Sequence, residues 1–328
     1  MDPFIECVGD PRAMGHCQGL AHRALIQQRV VAAGGKIGRS RWPTLRALTS
    51  GSDLGRGTGR EVIRHYTHLA ERMAGIARNA DVSFSSLMEL FNRSTGGAAP
   101  DDELVAEAVA LGVRRMENAK NGPVILRTLS GASFDTSPWI LRRSRPEVGF
   151  ASAEITLPWL ATAVAGINES GVAVAIAPRS ESYGGGVTAG AVNARNAPHA
   201  VLLVQECLQR FEDIEGCLDW CRKRPRSGNV SLMIADAAGH LARIEVEGVN
   251  CTIAEIDADF ALDGAPPEVD EELRSHLRDH QQIDLAALSA IGESVDQLAV
   301  WLEPIRRKLT IRSIGDVESA GKAIEIAV

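Results

Sequence analysis

"DDELVAEAVALGVRRMENAKNGPVIL", Asp101–Leu126, is where the chain changes its period. Before it, apolar residues recur at helical spacing. From about Val105 onward they fall in short runs bounded by turn residues, and Asn121-Gly122 is a turn signal between two β-capable segments. The stretch reads as a strand, a turn and a second strand. It contains no serine, threonine or cysteine, and the run without them extends from Gly96 to Arg127.

Upstream, "PRAMGHCQGLAHRALIQQRVVAAG" reads as one helix with Asp10 as N-cap and Pro11 at its first position. A Gly- and Arg-rich connection, "TSGSDLGRGTGR", leads to two more helical runs, "EVIRHYTHLAERMAGIARNA" and "SFSSLMELFNRS". Downstream, "GPVILRTLSG", "ASAEITLP", "LATAVAGI" and "GVAVAIAP" are short strands, with "NESG" a hairpin turn between the last two. Helix returns in "APHAVLLVQECLQRFEDIEGCLDWCRKR". The run "NVSLMIADAAGHLARIEVEG" then reads as strand, tight turn and strand. A charged helix at Pro267–His280 and a helix near "SVDQLAVWLEPIRRK" precede a closing hairpin, "KLTIRSIGDVESAGKAIEIAV". This is an α+β order, not the βαβ alternation of a nucleotide fold.

Composition bounds the function. With 328 residues, 45% hydrophobic and 23% charged, the chain is long enough for an ample core and has soluble globular proportions. A net charge of −7 argues against a nucleic-acid partner, and the longest basic run, "RKRPR", reads as a solvated helix end. No membrane partner is expected either. The opening "MDPFIECVGD" has neither a basic n-region nor an apolar core, and no apolar run spans a bilayer, so the expected location is cytoplasmic. The six cysteines are then expected as buried thiols rather than disulfides, Cys217 and Cys221 included, since no second ligand pair stands at zinc spacing. No metal or cofactor is expected. "AAGGKIGRS" lacks the Walker spacing and "GRGTG" follows no strand, so both read as loops, whereas the long "SYGGGVTAGAVNARNAP" has the length of a lid. Among the eight histidines, His199 stands out because Pro198 places it at a helix start, where the dipole lowers its pKa.

In order along the chain, "GDPRAMGHCQG", "AGIARNADVSFSSLMELFNRST", "GPVILRTLSGASFD", "VAGINESGVAVAIAP", "APHAVLLVQECLQR" and "NVSLMIADAAGHLARIEV" resemble the acyl-coenzyme A:6-aminopenicillanic acid acyltransferase family, one of the N-terminal-nucleophile hydrolases. The resemblance runs from Gly9 to the final hairpin. It implies a four-layer αββα fold in a single domain over 1–328, with a mainly helical part at 1–100 and the layered core at 101–328. It also implies a precursor that cleaves itself before a cysteine, which then attacks an amide or thioester of a small molecule.

The opening stretch departs from that pattern. The resemblance puts the cysteine just upstream of Asn121-Gly122, with Ala108 in the best register, and Ala108 to Gly112 offer no nucleophilic atom. Self-cleavage is therefore not expected. The aspartate of a "GRNFDW"-like segment falls on Ser130 if spacing is kept, or on Asp135 with an insertion, the latter preferred. The "HTNH" segment falls on "DFALDGAP", placing Asp263 where the family has an asparagine. Asn92, Arg93, Asn168 and His199 fit the pattern. An engineered Ala108 would explain the missing cysteine alone; the altered "HTNH" segment favours natural divergence. Two function classes follow: a repurposed enzyme, with Asp135, His199, Arg127 and Glu107 for proton transfer and anion binding and Ala108, Asn92, Arg93, Ser130, Asn168 and Asp263 lining the pocket, or a non-catalytic partner of an active homologue. The sequence leaves substrate and oligomeric state open, a homo-oligomer included.

Overall fold

Asp10 opens the first helix as its spacing predicts, the side chain accepting from Ala13 N at 2.7 Å. The structure is a computed structural model, and it describes residues 4–38, 53–95, 108–114, 122–130, 138–179, 197–265, 271, 274, 275, 277, 297–314 and 323–328. Strand β1 (Phe4–Gly9) precedes α1 (Pro11–Ala21), α2 (Arg23–Ala32), α3 (Asp53–His65), α4 (Thr67–Ala80) and α5 (Phe84–Thr95). Strands β2 (Ala110–Val113), β3 (Val124–Ser130), β4 (Ile140–Pro146), β5 (Ser152–Thr156), β6 (Ala165–Asn168) and β7 (Ala173–Pro178) follow. Helices α6 (Leu202–Arg210) and α7 (Ile214–Lys223) lead to β8 (Gly228–Ala235), β9 (Leu241–Gly248), β10 (Asn250–Glu255) and β11 (Phe260–Asp263). The chain closes with β12 (Gln297–Glu303), β13 (Lys308–Ile314) and β14 (Ile324–Ala327).

The strands form two sheets, of order β1-β4-β5-β6-β7-β8-β9-β10 and β11-β2-β3-β12-β13-β14. Among the described residues every strand pairing is antiparallel except β1 with β4. The sheets stack face to face, β2 and β3 against β7 and β8, and β12 and β13 against β5 and β6. Helices α6 and α7 cover the outer face of the larger sheet at β6, β7 and β9, and α1 covers it at β1 and β4 with α4 packed behind. On the outer face of the smaller sheet, helical Leu277 packs with Leu111, Leu126, Leu262 and Ala299. This is the α+β, αββα layering. Being covered on both faces explains why β6 and β7 are buried at every position and read as continuous apolar runs.

Small residues set the closest helix contact. A Cβ at Gly15 of α1 would stand 2.1 Å from Arg72 O of α4, and one at Gly75 would stand 2.3 Å from Arg12 O. Neither backbone can yield alone, so Gly75→Ala is expected to cost about 1–3 kcal/mol in urea denaturation by overpacking.

Several elements differ from the sequence reading. The first helix breaks at His22 (φ −117°), and the second helical run breaks at Tyr66 (φ −133°). Helix α3 begins at Asp53, inside the stretch that reads as a Gly-rich connection. The long helix after the lid-like segment is two, interrupted where Phe211 is extended and restarted by Asp213, which accepts from Gly216 N at 2.8 Å. "SVDQLAVWLEPIRRK" yields strand β12, not a helix, because Leu298, Val300 and Leu302 alternate with Ala299 and Trp301 onto opposite faces between β3 and β13. Strands β1, β4, β10 and β11 are not anticipated by the sequence reading.

Candidate functional site

Strand β2 places its residues by simple alternation. Gly112 faces the larger sheet, for a Cβ there would lie 2.8 Å from Met233 Sδ, so Ala110 faces it too. Ala110 is paired with Asp263 on one side and Arg127 on the other, which puts both charged side chains on that inner face. Ala108, two residues earlier, is buried as well. Thr128 extends this pairing, its Oγ1 accepting from Val109 N at 2.9 Å. Gly264 (φ +81°) lets the chain pass, since a Cβ there would be 2.2 Å from Ala108 O.

Opposite them, Ser231 of β8 and Arg243 of β9 project inward. Ser231 Oγ donates to Asp263 Oδ2 at 2.8 Å and Arg243 Nη1 approaches Oδ1 at 3.3 Å, while Arg243 Nη2 also reaches Glu245 Oε1 at 3.0 Å. The Asp263 side chain is 5% exposed and Arg243 and Glu245 are partly exposed, so this edge of the two sheets lies close to solvent. Burial pushes the Asp263 carboxyl above its ordinary pKa; Arg243 and Ser231 oppose that rise and Glu245 adds to it. Arg127 is fully buried, donates from Nε to Ile176 O at 2.6 Å and lies 5.8 Å from the Trp139 ring centroid. Burial lowers its pKa to about 9, which leaves the guanidinium charged at neutral pH. A buried acid with an elevated pKa and a buried cation thus flank the Ala108–Ala110 segment.

The other sequence candidates do not converge there. The His199 ring lies 2.9 Å from where a Gly228 Cβ would stand, and Gly228 and Ser231, three apart on β8, occupy opposite faces about 10 Å apart. Its Nδ1 accepts from Val201 N at 3.1 Å, and burial lowers its pKa to about 4, so it is a neutral turn residue before α6. Asn168 is consumed by structure: its amide donates to Leu208 O and Phe211 O and accepts from Ser170 N and Val172 N, closing the hairpin at "NESG". Arg93 is solvent-facing beside Glu89 at 3.6 Å. Asn92 is half-buried, with its Nδ2 lacking an acceptor among the described residues. Ser130 ends β3 opposite Gln297. Asp135, Glu107 and the Gly-rich segment up to Asn196 lie outside the described residues.

Sequence reasoning missed Ser231, Arg243 and Glu245. The signal was present, since "NVSLMIA" and "LARIEVE" each place polar side chains on the face that otherwise carries Met233 and Ala175. Among the described residues no group of three or more His, Cys, Asp or Glu side chains is placed to hold a metal. The cysteines are free thiols, with Cys207 Sγ 3.8 Å from Cys221 Sγ between α6 and α7.

No protein-family model matches the sequence, and no curated protein matches it. Solved structures do. Penicillin V acylase from Agrobacterium tumefaciens aligns at 13% identity and TM-score 0.38, over 62% of this chain and 82% of that one. A mutant of conjugated bile acid hydrolase from Clostridium perfringens aligns at 10% identity and TM-score 0.44, over 67% and 92%. The Caenorhabditis elegans ortholog of N-acylethanolamine-hydrolyzing acid amidase aligns at 10% identity and TM-score 0.43, over 66% and 99%. At these identities and scores, the likeness carries no statement about what this chain acts on.

Proposed function

We propose that this chain acts on a small acyl or amide compound between its two sheets, by acid–base chemistry without a cysteine nucleophile and without self-cleavage. The observation that supports the reading is the exchange of groups across β2 and β11. Ala110 and Gly112 bring no nucleophile to the inner face and Ala108 carries none, while Asp263, paired with Ala110, brings a buried carboxyl shifted toward protonation. In its ionised form Asp263 takes a proton from water as that water attacks the acyl carbon, then returns it to the leaving nitrogen. Arg127 is the nearest strand neighbour able to offset negative charge on the acyl oxygen. Ser231 and Arg243 hold the carboxyl in place from the opposite sheet.

The test uses the purified full-length chain and a panel of small N-acyl amides. The expected result is release of free acid from at least one of them, a single intact mass, and no acyl adduct during turnover. A covalent acyl-protein, or two fragments parting before Ala108, would remove the reading. Saturable binding without turnover would move the chain to the non-catalytic class.

A further inference from the structure

Outside the inter-sheet site, a second constellation lies beneath α1 and α4. Arg142 and Glu154, paired across β4 and β5, are both fully buried, with Arg142 Nε 2.6 Å from Glu154 Oε2. Arg72 of α4 is buried with them, donates from Nη2 to Ser144 Oγ at 3.0 Å, and has Nε and Nη1 without a hydrogen-bond acceptor among the described residues. Two guanidiniums thus share one carboxylate in a space closed to water. A buried charge without compensation is costly, so the enclosure calls for a second anion.

The group at hand is Cys7, which pairs with Ser144 across β1 and β4 and is fully buried on the same face. Cys17 of α1 packs against the cluster of Ile5, Cys7, Met14 and Ile140, is only partly buried, and donates from Sγ to Glu6 O, the carbonyl just before Cys7, at 3.0 Å. The charged and titratable groups facing the pair are Glu6 on β1, Arg72 on α4, Arg142 on β4 and Glu154 on β5. The neighbouring Cys17 thiol lowers the Cys7 pKa to about 6, with Arg72 and Arg142 adding to that and burial and Glu154 opposing it. The same coupling to Cys7, together with burial, pushes Cys17 up. Arg72, with two N–H groups to spare, faces Cys7 and favours its thiolate.

We propose that Cys7 and Cys17 are a redox-active pair, joined by a reversible disulfide between β1 and α1 when the chain meets a peroxide. The more accessible Cys17 sulfur attacks one peroxide oxygen as its proton passes to the departing oxygen. The O–O bond breaks, water leaves, and Cys17 becomes a sulfenic acid. The Cys7 thiolate then displaces the sulfenic oxygen as hydroxide, which takes up the proton Cys7 had released, and the S–S bond forms. In sum two thiols and one hydrogen peroxide give one disulfide and two waters. In a reducing compartment such a bond acts as a sensor rather than a staple.

Trypsin sites at Arg12 and Arg23 make the link readable. The full-length protein is treated with hydrogen peroxide, its remaining thiols are blocked, and the digest is weighed. Expected is a crosslink of Met1–Arg12 to Ala13–Arg23 that dithiothreitol reverses, with Cys207, Cys217 and Cys221 recovered as thiols. Cys7→Ser is expected to give no crosslink and to leave Cys17 as a sulfenic acid trapped by dimedone. Arg72→Met is expected to slow crosslinking about tenfold, by removing the cation that favours the thiolate, and Arg72→Lys to restore most of the rate. Recovery of Cys7 and Cys17 as free thiols, a disulfide joining other cysteines, or an Arg72→Met rate equal to wild type in a folded protein would each overturn the proposal.

Discussion

Glu154→Gln is expected to lower the unfolding free energy by about 3–5 kcal/mol, seen as a lower urea midpoint at unchanged slope. The carboxylate accepts from Arg142 Nε, Ser144 Oγ, Ser152 Oγ and Gln205 Nε2, and all five side chains are fully buried. Removing its charge leaves Arg142 and Arg72 facing each other with no carboxylate between them. Against a typical stability of about 5–15 kcal/mol, a loss of that size leaves little margin. Arg142 is no easier to remove, because Gln18 Oε1 and Gln205 Oε1 accept from it at 2.7 and 3.0 Å. The pH dependence has a definite sign. Burial alone would raise the Glu154 pKa, but Arg142 and Arg72 outweigh it, and Ser152 and Gln205 add to the net lowering from 4.5. Stability from this group is therefore complete above the ordinary carboxylate range and is lost as pH falls through the lower folded value. The gap between wild type and Glu154→Gln should narrow only in that acid window.

That network also marks where sequence reading stops. A capped helix, a two-residue alternation and a Gly-containing turn are local, and α1's start, α5 and the β8–β9 hairpin follow from them. "ILRRSRP" has the local character of a solvent-facing run because nothing in it says that Arg142 meets Glu154 across a ladder and Gln18 across two layers. Strand β12 is illegible for a related reason: flanking charges suggest a helix face, whereas pairing with β3 and β13 supplies the alternation's meaning. In the proposed site, the family resemblance points to Asp263 and the strand after the turn to Arg127, and the ladder pairs both with Ala110. His199 falls apart from Asp263 because a helix-start position fixes its dipole environment but not which face of a sheet it will adjoin.

Asp263→Asn separates a catalytic carboxyl from a structural one. Its turnover of the best N-acyl amide is expected to fall about 10²–10⁴-fold, the range for losing a positioned general base. Stability should move the other way. A carboxyl whose folded pKa is raised costs the fold stability as pH rises through the interval between its unfolded and folded values, and the cost is full above it. Asparagine keeps a group that can accept from Ser231 and removes the buried charge, so melting at neutral pH should be unchanged or higher than wild type. The two melting curves should converge as pH falls below the unfolded carboxylate range. The wild-type pH–rate profile should show its acid limb above that range, since the base form of Asp263 is the active one, and the variant should lack the limb. A residue with a purely structural role between the sheets would give a less stable variant with an unshifted profile, and that outcome would remove Asp263 from the chemistry.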